Sequence, residues 1–244
     1  MYKNKKVSVV TSTYNEAGSI RAVIDGLFTT GYVDEVVVVD NNALGNTREE
    51  VAKTKARLVT ETKQGMGNGL KKGFKEVTGD LIVVIDMDGT YQPKDIEKLL
   101  SYSDEFEVVL GTRTARAAIW SGAHMPFLIR IANLIWAKSV EILYNGPLLT
   151  DVGCLYKLMS RDALESVRPY FKHSRSDGLF NIELVLWLLL EKRKAIEIPV
   201  IFKERVGESV YVGRSVRKAA KWGFKMIPII ISYRFKKFKN LNHE

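Results

Sequence analysis

The sequence of 244 residues contains one cysteine, Cys154, and three histidines, His124, His173 and His243. A single cysteine excludes an internal disulfide framework and a metal site built from cysteines alone, and it fits a reducing, cytosolic setting. None of the three histidines lies in a sequence context typical of a catalytic base. The chain therefore lacks the usual marks of disulfide-rich secreted domains and of histidine-based catalysis.

Long apolar segments are also missing. No segment reaches the roughly 18 consecutive apolar residues that a membrane-spanning helix needs. The longest candidate, residues 179–190, contains Asn181 and Glu183, so we interpret it as a buried core helix. The N-terminal residues lead directly into a strand pattern without the apolar region of a signal peptide. We expect no transmembrane span and no signal peptide.

The C-terminal segment lacks acidic residues. Residues 214–239 contain nine Lys or Arg and no Asp or Glu, which accounts for the whole net charge of +9. We expect a helix that is interrupted at Pro228 and followed by a second apolar patch at 229–238. On a helical wheel, one side is apolar and the opposite stripe is basic, formed by Arg214, Arg217, Lys218, Lys221 and Lys225. This pattern is typical of amphipathic helices at the surface of an anionic membrane.

The segment allows two other interpretations. Its apolar side could instead pack on the domain and leave a solvated basic face. A nucleic-acid-binding module is disfavoured, because the charges are interleaved with aliphatic runs such as 229–231 and no nucleic-acid-binding motif accompanies them. We therefore expect an anionic membrane surface as a partner, and no nucleic acid.

Strand and helix patterns alternate through the first part of the chain. Apolar, β-branched runs predict strands at 7–13, 35–39, 57–61, 81–85 and 107–110, with helices between them on short connections. With 46% hydrophobic residues, the chain is apolar enough to form one large domain. The alternation predicts an α/β fold with a mostly parallel central sheet, in which polar residues after several strands meet at one edge.

The central feature is the segment 79–93. Its apolar run 81–85 predicts a strand buried on both faces. The strand ends in Asp86 and Asp88, which should project to the same side because side chains alternate along a strand. Two neighbouring carboxylates need a cation between them, and the turn at Gly89 leaves room for one. The segment favours Mg²⁺ or Mn²⁺ holding a diphosphate; the alternative is a pair of solvated turn aspartates.

Eight short motifs follow one another along the chain. They are VSVVTSTYNE at 7–16, VDNN at 39–42, GMG at 65–67, GD at 79–80, DMD at 86–88, GTR at 111–113, DVG at 151–153 and RVGES at 205–209. Each motif alone is weak, but their order and spacing together are specific. In these motifs the chain resembles the family 2 glycosyltransferases of the GT-A fold, and among them the polyprenyl-phosphate (dolichyl-phosphate) hexose synthases.

The resemblance implies one GT-A (Rossmann-like) domain at 1–212. Its nucleotide-binding part would occupy about 1–112 and its acceptor part about 113–212. The segment 213–244 would then be a basic, amphipathic, membrane-associating tail. This organisation implies a peripheral protein at the cytoplasmic face of the membrane.

On the donor side, the resemblance implies that Asp86 and Asp88 hold the metal ion and that several loops bind a nucleotide sugar. The implied donor-binding residues are Thr13, Tyr14, Glu16, Asp40, Asn42, Gly67, Asp86, Met87, Asp88, Arg205 and Ser209. As alternatives, Glu16 only begins a helix and the glycines around Gly67 only begin another. Thr90 stands where some lipid-phosphate mannose synthases carry a glutamine near the metal, so the third metal ligand stays open.

On the acceptor side, the resemblance implies that Arg113 and Arg130 receive the acceptor phosphate, with Asn133 beside them. Two guanidinium groups present donor forks suited to phosphate oxygens, and the alternative role is in surface ion pairs. Asp151 is implied at the metal or the acceptor, or else it caps a turn. The implied catalytic residues are thus Asp88, Arg113, Arg130 and Asp151.

Together these implications predict a metal-dependent, inverting glycosyltransferase. It would move a hexose or N-acetylhexosamine from a UDP- or GDP-linked sugar to a polyprenyl (dolichyl) phosphate. Such an acceptor is already anionic at neutral pH and needs no general base. One alternative transfers the sugar to a hydroxyl of a lipid-linked glycan or polysaccharide, with Asp151 as the base. An alternative of another class is a basic membrane- or nucleic-acid-binding module without catalysis.

Overall fold

Seven strands form one sheet in the order β3-β2-β1-β4-β6-β5-β7. The computed structural model describes residues 1–120, 122, 123, 125–207 and 216–235, the last of these with side chains from Lys221 onward. The strands are β1 (Val7–Thr13), β2 (Glu35–Asp40), β3 (Arg57–Thr60), β4 (Leu81–Val84), β5 (Val108–Thr112), β6 (Lys157–Ser160) and β7 (Ala195–Pro199).

Helices connect and cover the strands. They are α1 (Ile20–Thr29), α2 (Thr47–Ala52), α3 (Met66–Glu76), α4 (Ile96–Ser101), α5 (Phe127–Tyr144), α6 (Arg161–Val167), α7 (Phe180–Leu190) and α8 (Val216–Phe235). Short 3₁₀ turns lie at Pro93–Asp95, Arg116–Ala118 and Arg168–His173. Within the described ranges, every helix is too short or too polar to traverse a bilayer.

Six of the seven strands of this sheet point in the same direction. β1 pairs in parallel with β2 and β4, β2 with β3, and β5 with β7. β6 runs antiparallel to both of its neighbours, β4 and β5. The carboxyl ends of β1, β2, β4 and β5 therefore lie at one edge of the sheet. The mostly parallel α/β architecture predicted from the sequence is confirmed.

The sheet is buried on both faces because its central strands are almost wholly apolar. The residues of β4 are at most 2% exposed, as expected for a β-branched run between two helical layers. On one face, Val10 and Val84 pack with α3, α7 and α8. On the other face, Val9 and Val83 pack with α1 and α4. This two-sided core fixes the strand ends, and with them the loops that follow.

Helix α3 lies directly against the sheet because two of its residues have no side chain. A Cβ atom at Gly69 would meet the side chain of Ser12, and one at Gly73 would meet Val10 and would lie 3.0 Å from Cγ2 of Val39. This close approach brings the turn at 65–67, at the N-terminus of α3, to the end of β2.

The last helix differs from its sequence prediction. α8 continues without a break through Pro228, so the expected interruption there is wrong. Pro228 is exposed, and its ring therefore lies on the outer side of the helix, away from the packed face. The buried face of α8 joins the core that α5 and α7 share, through Met226, Ile229, Ile230 and Tyr233.

Helices α5 and α8 lie side by side and run in the same direction. A Cβ atom at Gly223 would lie 2.9 Å from Nε1 of Trp136, so only glycine allows this approach. Further along both helices, the hydroxyl of Tyr144 donates to the carbonyl of Ile230 at 2.7 Å. The second pair lies about two turns beyond the first on each helix, which fixes their common direction.

The contact at Gly73 generates a stability prediction. Gly73→Ala should lower the free energy of unfolding by about 1–3 kcal/mol, because overpacking against Val10 outweighs the better helix propensity of alanine. Urea denaturation measures the difference. Lys75→Ala, at an exposed position of the same helix, is the matched control and should change stability by less than about 0.5 kcal/mol. Unchanged or higher stability of Gly73→Ala would contradict the close packing.

Candidate functional site

Polar and charged residues follow four strands at the carboxyl edge of the sheet. Glu16 follows β1, Asp40 ends β2, Asp88 follows β4 and Arg113 follows β5. Because these strands point the same way, their ends form one edge, here called the sheet rim. Ligands of open α/β sheets bind at such an edge.

The carboxylate of Glu16 organises the loop after β1. Its Oε2 atom accepts hydrogen bonds from Oγ1 of Thr13 at 2.6 Å, from the N–H of Tyr14 at 2.7 Å and from the N–H of Asn15 at 2.9 Å. The carbonyl of Glu16 accepts a hydrogen bond from the N–H of Ile20 at 2.9 Å, the first residue of α1, so the backbone of Glu16 also leads into this helix, as its alternative role expects. The Oε1 atom is left for a partner from another loop.

Arg205 joins two loops of the sheet rim. Its Nη1 atom donates to Oδ2 of Asp88 at 2.6 Å, and its Nη2 atom donates to Oε1 of Glu16 at 3.3 Å. The backbone N–H of Val206 donates to the carbonyl of Asp88 at 2.9 Å. The Nε atom of Arg205 is buried and has no hydrogen-bond partner among the described residues. The loop after β7 thus lies over the rim with one guanidinium donor unused.

The two aspartates after β4 differ in their partners. Oδ1 of Asp88 accepts hydrogen bonds from the N–H of Thr90 at 2.9 Å and from its hydroxyl at 2.5 Å, while Oδ2 pairs with Arg205. Asp86 is half-buried, and no hydrogen bond or ion pair from the described part of the chain reaches its carboxylate. Burial, together with the neighbouring charge of Asp88, raises the pKa of Asp86 to about 8.

Met87 lies between these aspartates but turns into the core. Its side chain is 2% exposed and packs among the residues of α1 and α4. Its carbonyl accepts a hydrogen bond from Oγ of Ser19 at 2.7 Å. The predicted contact of Met87 with the nucleotide sugar would therefore have to use its backbone.

Asp86 and Asp88 fit a hard divalent cation in charge and in ligand type. Carboxylate oxygens suit Mg²⁺ and Mn²⁺, and a cation would relieve the like-charge repulsion that contributes to the raised pKa of Asp86. Among the described residues, no group of three or more His, Cys, Asp or Glu side chains is arranged to hold a metal ion. A cation bound by both aspartates would take its remaining ligands from other groups, and it would share Asp88 with Arg205.

Asp40, at the end of β2, is already paired. Its Oδ1 atom accepts a hydrogen bond from the N–H of Ala43 at 2.7 Å, and its carboxylate forms an ion pair with Arg48 of α2. Arg48 was missed from the sequence, since one arginine in a short polar helix gives no functional signal. The Arg48 side chain is 53% exposed and that of Asp40 is 4% exposed, so the pair presents its guanidinium donors to the surface and keeps its carboxylate buried.

Asn42 and Gly67 hold the backbone around the end of β2. Asn42 adopts a left-handed φ of +59°, and its amide donates to the carbonyl of Thr62 at 3.0 Å and to Oε1 of Gln64 at 2.9 Å. The N–H of Gly67 donates to the carbonyl of Ser176 at 2.8 Å. Both predicted donor-binding residues thus have a structural role in this loop arrangement.

Arg113 and Asp151 form a buried, bidentate ion pair. Nε of Arg113 donates to Oδ2 of Asp151 at 2.7 Å, and Nη2 donates to Oδ1 at 2.9 Å. The side chain of Asp151 is fully buried and that of Arg113 is 19% exposed. Although burial opposes it, the carboxylate raises the pKa of Arg113 above its ordinary value. Glu197 of β7 accepts the backbone N–H of Asp151 at 2.9 Å and so fixes this loop.

Arg130 and Asn133 lie near the start of α5. Arg130 is half-buried, and its Nε atom is buried without a hydrogen-bond partner in the described structure. The amide of Asn133 lies 4.0 Å from the sulfur of Met125. No hydrogen bond or ion pair found for the described residues joins either side chain to Arg113 or Asp151. The predicted acceptor residues are therefore not in one network, and Arg130 keeps an unused donor.

A buried lysine lies behind the sheet rim and was missed from the sequence. Lys157 is 1% exposed and donates to Oδ1 of Asn181 in α7. The amide of Asn181 donates to the carbonyl of Gly153 at 3.0 Å, two residues from Asp151. Burial lowers the pKa of Lys157 to about 8. The sequence feature that could have revealed a buried lysine is its position inside the apolar run 154–159.

Some predicted residues fall outside what the structure describes. These are Ser209 and Arg214, together with the side chains of Arg217 and Lys218. Of the described ones, the structure joins Thr13, Tyr14, Glu16, Asp88 and Arg205 in one hydrogen-bonded network.

Comparison with known families decides the class of protein. The profile of Glycosyl transferase family 2 matches residues 8–168, a range that contains most of the sheet rim. The chain belongs to glycosyltransferase family 2. The resemblance inferred from the motifs is confirmed, and so is the prediction that the protein is a glycosyltransferase.

Two relatives share sequence with most of this glycosyltransferase. It is 31% identical over 219 residues to the undecaprenyl-phosphate 4-deoxy-4-formamido-L-arabinose transferase of Enterobacter sp. (strain 638), covering 84% of this chain and 62% of that protein. It therefore spans less than two thirds of that relative. It is 26% identical over 234 residues to the undecaprenyl-phosphate mannosyltransferase of Micrococcus luteus, covering 89% of this chain and 94% of that protein.

A solved structure shows the same fold. Glucosyl-3-phosphoglycerate synthase from Mycobacterium tuberculosis, crystallised with Mn²⁺, UDP-glucose and phosphoglyceric acid, matches this glycosyltransferase with a TM-score of 0.68. The match covers 95% of this chain and 80% of that one at 18% identity. At this identity the similarity concerns the fold alone, and it confirms the predicted GT-A architecture.

The lowered pKa of Lys157 predicts a pH-dependent stability. In the unfolded chain this lysine has a pKa near 10.5, so between pH 8 and that value the unfolded state binds the proton more readily than the native state. The free energy of unfolding should then rise with pH in this window and stay flat below it. Relative to Lys157→Met, the wild type should gain up to about 1.4 kcal/mol per pH unit between about pH 8 and pH 9.5.

Urea denaturation of the wild type and of Lys157→Met across this pH range measures the difference. Lys75→Met, which replaces an exposed lysine of α3, is the control and should keep the slope of the wild type. If Lys157→Met also keeps that slope, burial does not lower the pKa of Lys157 in the native state.

Proposed function

We propose that this glycosyltransferase moves a hexose or N-acetylhexosamine from a nucleotide diphosphate sugar to a polyprenyl (dolichyl) phosphate. The observation that carries the proposal concerns Asp151, the candidate base for a hydroxyl acceptor. Asp151 is fully buried and bound through both oxygens by Arg113. A carboxylate held in this way is poorly placed to take a proton from a hydroxyl. A phosphate acceptor needs no such base, because it is already anionic at neutral pH.

An anionic acceptor substrate also suits Arg130, which has an unused hydrogen-bond donor. Its Nε atom is buried and lacks a partner among the described residues. A guanidinium offers a planar set of donors that matches phosphate oxygens. The names of both sequence relatives contain undecaprenyl phosphate, which supports a lipid phosphate as the acceptor here.

The donor side offers groups for a nucleoside and for a diphosphate. The exposed guanidinium of Arg48, held by the buried Asp40, presents hydrogen-bond donors to a base or ribose. Arg205, whose Nε is unused, would turn its Nη donors from Asp88 to the diphosphate when the donor binds. UDP- and GDP-linked sugars both fit these groups, and the UDP-glucose bound in the similar solved structure supports a UDP-linked sugar.

In this mechanism, Asp86 and Asp88 would hold Mg²⁺ or Mn²⁺, which supplies positive charge against the leaving nucleoside diphosphate. Arg113, kept in place by Asp151, and Arg130 would orient the acceptor phosphate for in-line attack on the anomeric carbon, with inversion. The nucleophile loses no proton in this step. The protein would therefore position the two substrates and supply charge, and it would not need to supply a general base.

We also propose that the enzyme works at the cytoplasmic face of a membrane as a peripheral protein. Its acceptor would be a lipid held in that membrane. The exposed, basic side chains of α8, Lys221, Lys225 and Arg234, suit anionic headgroups.

A transfer assay tests the proposed reaction. The full chain is incubated with a labelled nucleotide sugar, Mn²⁺ and polyprenyl phosphate, after a thermal-shift panel of UDP- and GDP-linked sugars has identified the donor. We expect a charged lipid product that is stable to alkali and labile to acid. Transfer to a hydroxyl of a lipid-linked glycan, with none to polyprenyl phosphate, would contradict the proposal.

Point variants distinguish the part of the site that binds the acceptor from the part that binds the nucleotide sugar. Arg130→Ala should raise the KM for polyprenyl phosphate by about 10- to 100-fold, the size expected for a charged hydrogen bond, and leave the Kd of the nucleotide sugar unchanged. Asp88→Ala should abolish turnover. Arg21→Ala, which removes an exposed arginine of α1, is the control and should match the wild type. Lost nucleotide-sugar binding in Arg130→Ala would argue against its acceptor role.

The raised pKa of Asp86 predicts that metal binding depends on pH. Because a cation binds the ionised carboxylate, its apparent Kd should rise about tenfold for each pH unit below about 8 and level off above it. Titration of Mn²⁺ without donor, followed by its electron paramagnetic resonance signal, measures this constant. Asp86→Asn should bind Mn²⁺ weakly and without the slope. An equal slope in that variant would refute the assignment.

A further inference from the structure

Helix α7 buries a carboxylate among apolar neighbours. Glu183 is 1% exposed, and apart from Asn181 the other residues of α7 are apolar. A buried carboxylate costs free energy unless hydrogen bonds compensate for the water it has lost. Both oxygens of Glu183 are bonded: Oε1 accepts from the hydroxyl of Tyr233 in α8 at 2.6 Å, and Oε2 accepts from the backbone N–H of Arg175 at 2.8 Å. Glu183 therefore joins α8 to the segment that precedes α7.

That segment, residues 174–177, is called here the bridging loop. An ion pair within it shapes its backbone: the guanidinium of Arg175 donates to the two oxygens of Asp177 at 3.0 and 2.7 Å. Asp177 also accepts a hydrogen bond from the backbone N–H of Leu179 at 3.1 Å, just before α7 begins. The bridging loop thus has a defined shape, and Glu183 fixes it to the core.

The bridging loop lies directly on the turn at the N-terminus of α3. The N–H of Gly67 donates to the carbonyl of Ser176 at 2.8 Å. A Cβ atom at Gly67 would lie 2.7 Å from the carbonyl oxygen of Arg175, and one at Gly65 would collide with the carbonyl of Ser176. The two backbones are therefore in direct contact, and a shift of the loop would shift the turn.

On its other side, the same turn contacts the end of β2. The N–H of Gly65 donates to Oδ1 of Asn41 at 2.7 Å. Asn41 lies between Asp40 and Asn42, which, like Gly67, are predicted to bind the nucleotide sugar. The turn at 65–67 is thus held between the end of β2 and the bridging loop, and its position depends on both.

We propose that Glu183 is a positioning residue for the binding of the nucleotide sugar. It fixes the bridging loop, the loop holds the turn at 65–67 against the end of β2, and Tyr233 orients Glu183 from α8. Because Glu183 is buried, it acts only through this loop and touches no substrate. The inference deepens the proposed function and rests on it in one respect, which is the assignment of the turn and the end of β2 to the nucleotide sugar.

A purely structural role for Glu183 has different consequences. Replacement of a buried charged group by an apolar side chain of similar size is often neutral or stabilising, although here the N–H of Arg175 would lose its partner. In a structural role, such a replacement would change the stability alone. In a positioning role, it also weakens the binding of the nucleotide, so affinity and stability together distinguish the two roles.

Calorimetric titration of the full chain with UDP and with GDP, each with Mn²⁺, tests the proposal without a choice of sugar or acceptor. Glu183→Met should raise the Kd of the nucleotide that the wild type binds by about tenfold, the size of one hydrogen bond to a charged group. Glu183→Gln should stay within about twofold of the wild type, because its amide oxygen can accept from Arg175 and its NH₂ group can donate to the hydroxyl of Tyr233.

Two tyrosines of the same core give a matched pair of variants. Tyr233→Phe removes the hydroxyl that binds Glu183 and keeps the ring, whose centroid lies 5.8 Å from that of Trp187. It should raise the nucleotide Kd by about fivefold. Tyr144→Phe removes a hydroxyl that joins α5 to α8 at the carbonyl of Ile230. This control should stay within about twofold of the wild type, because its lost bond does not lead to the bridging loop.

Steady-state kinetics provide a second criterion. In Glu183→Met, the KM for the nucleotide sugar should rise about tenfold, while kcat and the KM for polyprenyl phosphate should stay within about twofold of the wild type. The reason is that, among the described residues, no hydrogen bond joins the bridging loop to Asp88, Arg113 or Arg130. A fall in kcat without a change in this KM would contradict a positioning role in nucleotide binding.

The remaining outcomes also decide the question. An unchanged nucleotide Kd in Glu183→Met would overturn the proposal, as would equal effects of Tyr233→Phe and Tyr144→Phe, or a wild type that binds neither UDP nor GDP. If circular dichroism shows that Glu183→Met is unfolded, the comparison of the two tyrosine variants decides alone. Transfer to a hydroxyl, with none to polyprenyl phosphate, would contradict the proposed function and leave this inference intact, because the nucleotide Kd is measured without an acceptor.

Discussion

The sheet rim depends on the compensation of negative charge where parallel strands end. Strands that run in one direction deliver several carboxylates to the same edge, and like charges shielded from water repel one another strongly. Arg205 bridges Glu16 and Asp88, and Arg113 is bound by a further, fully buried carboxylate. Among the described residues, Asp86 is left without a positively charged partner. This carboxylate is where we propose that a cation binds.

The two arginines are held differently, which separates the roles we assign to them. Both oxygens of Asp151 bind Arg113 in a buried ion pair, which fixes the position of this guanidinium. Arg205 makes one short and one long contact and keeps a buried, unused nitrogen. We propose that it exchanges partners when a diphosphate arrives, whose charge would replace that of Asp88.

Local patterns in the sequence predicted local structure well. β1 and α7 occur where the apolar runs 7–13 and 179–190 predict them, because burial repeats along a strand or helix with a fixed period. Contacts across the chain have no such pattern: Arg205 and Asp88 are 117 residues apart, and Lys157 meets Asn181 only after folding. The orientation of α5 was also hidden, since a helix that is apolar on most sides does not reveal which side faces the core.

The most direct test of the central claim is anomalous diffraction from crystals grown with Mn²⁺ and the nucleotide sugar that the enzyme binds. The account predicts a manganese peak bound by Asp86 and Asp88, with the guanidinium of Arg205 moved from Asp88 to the diphosphate. A rim without manganese, with Arg205 still paired to Asp88 and Glu16 while the nucleotide sugar is bound, would contradict it.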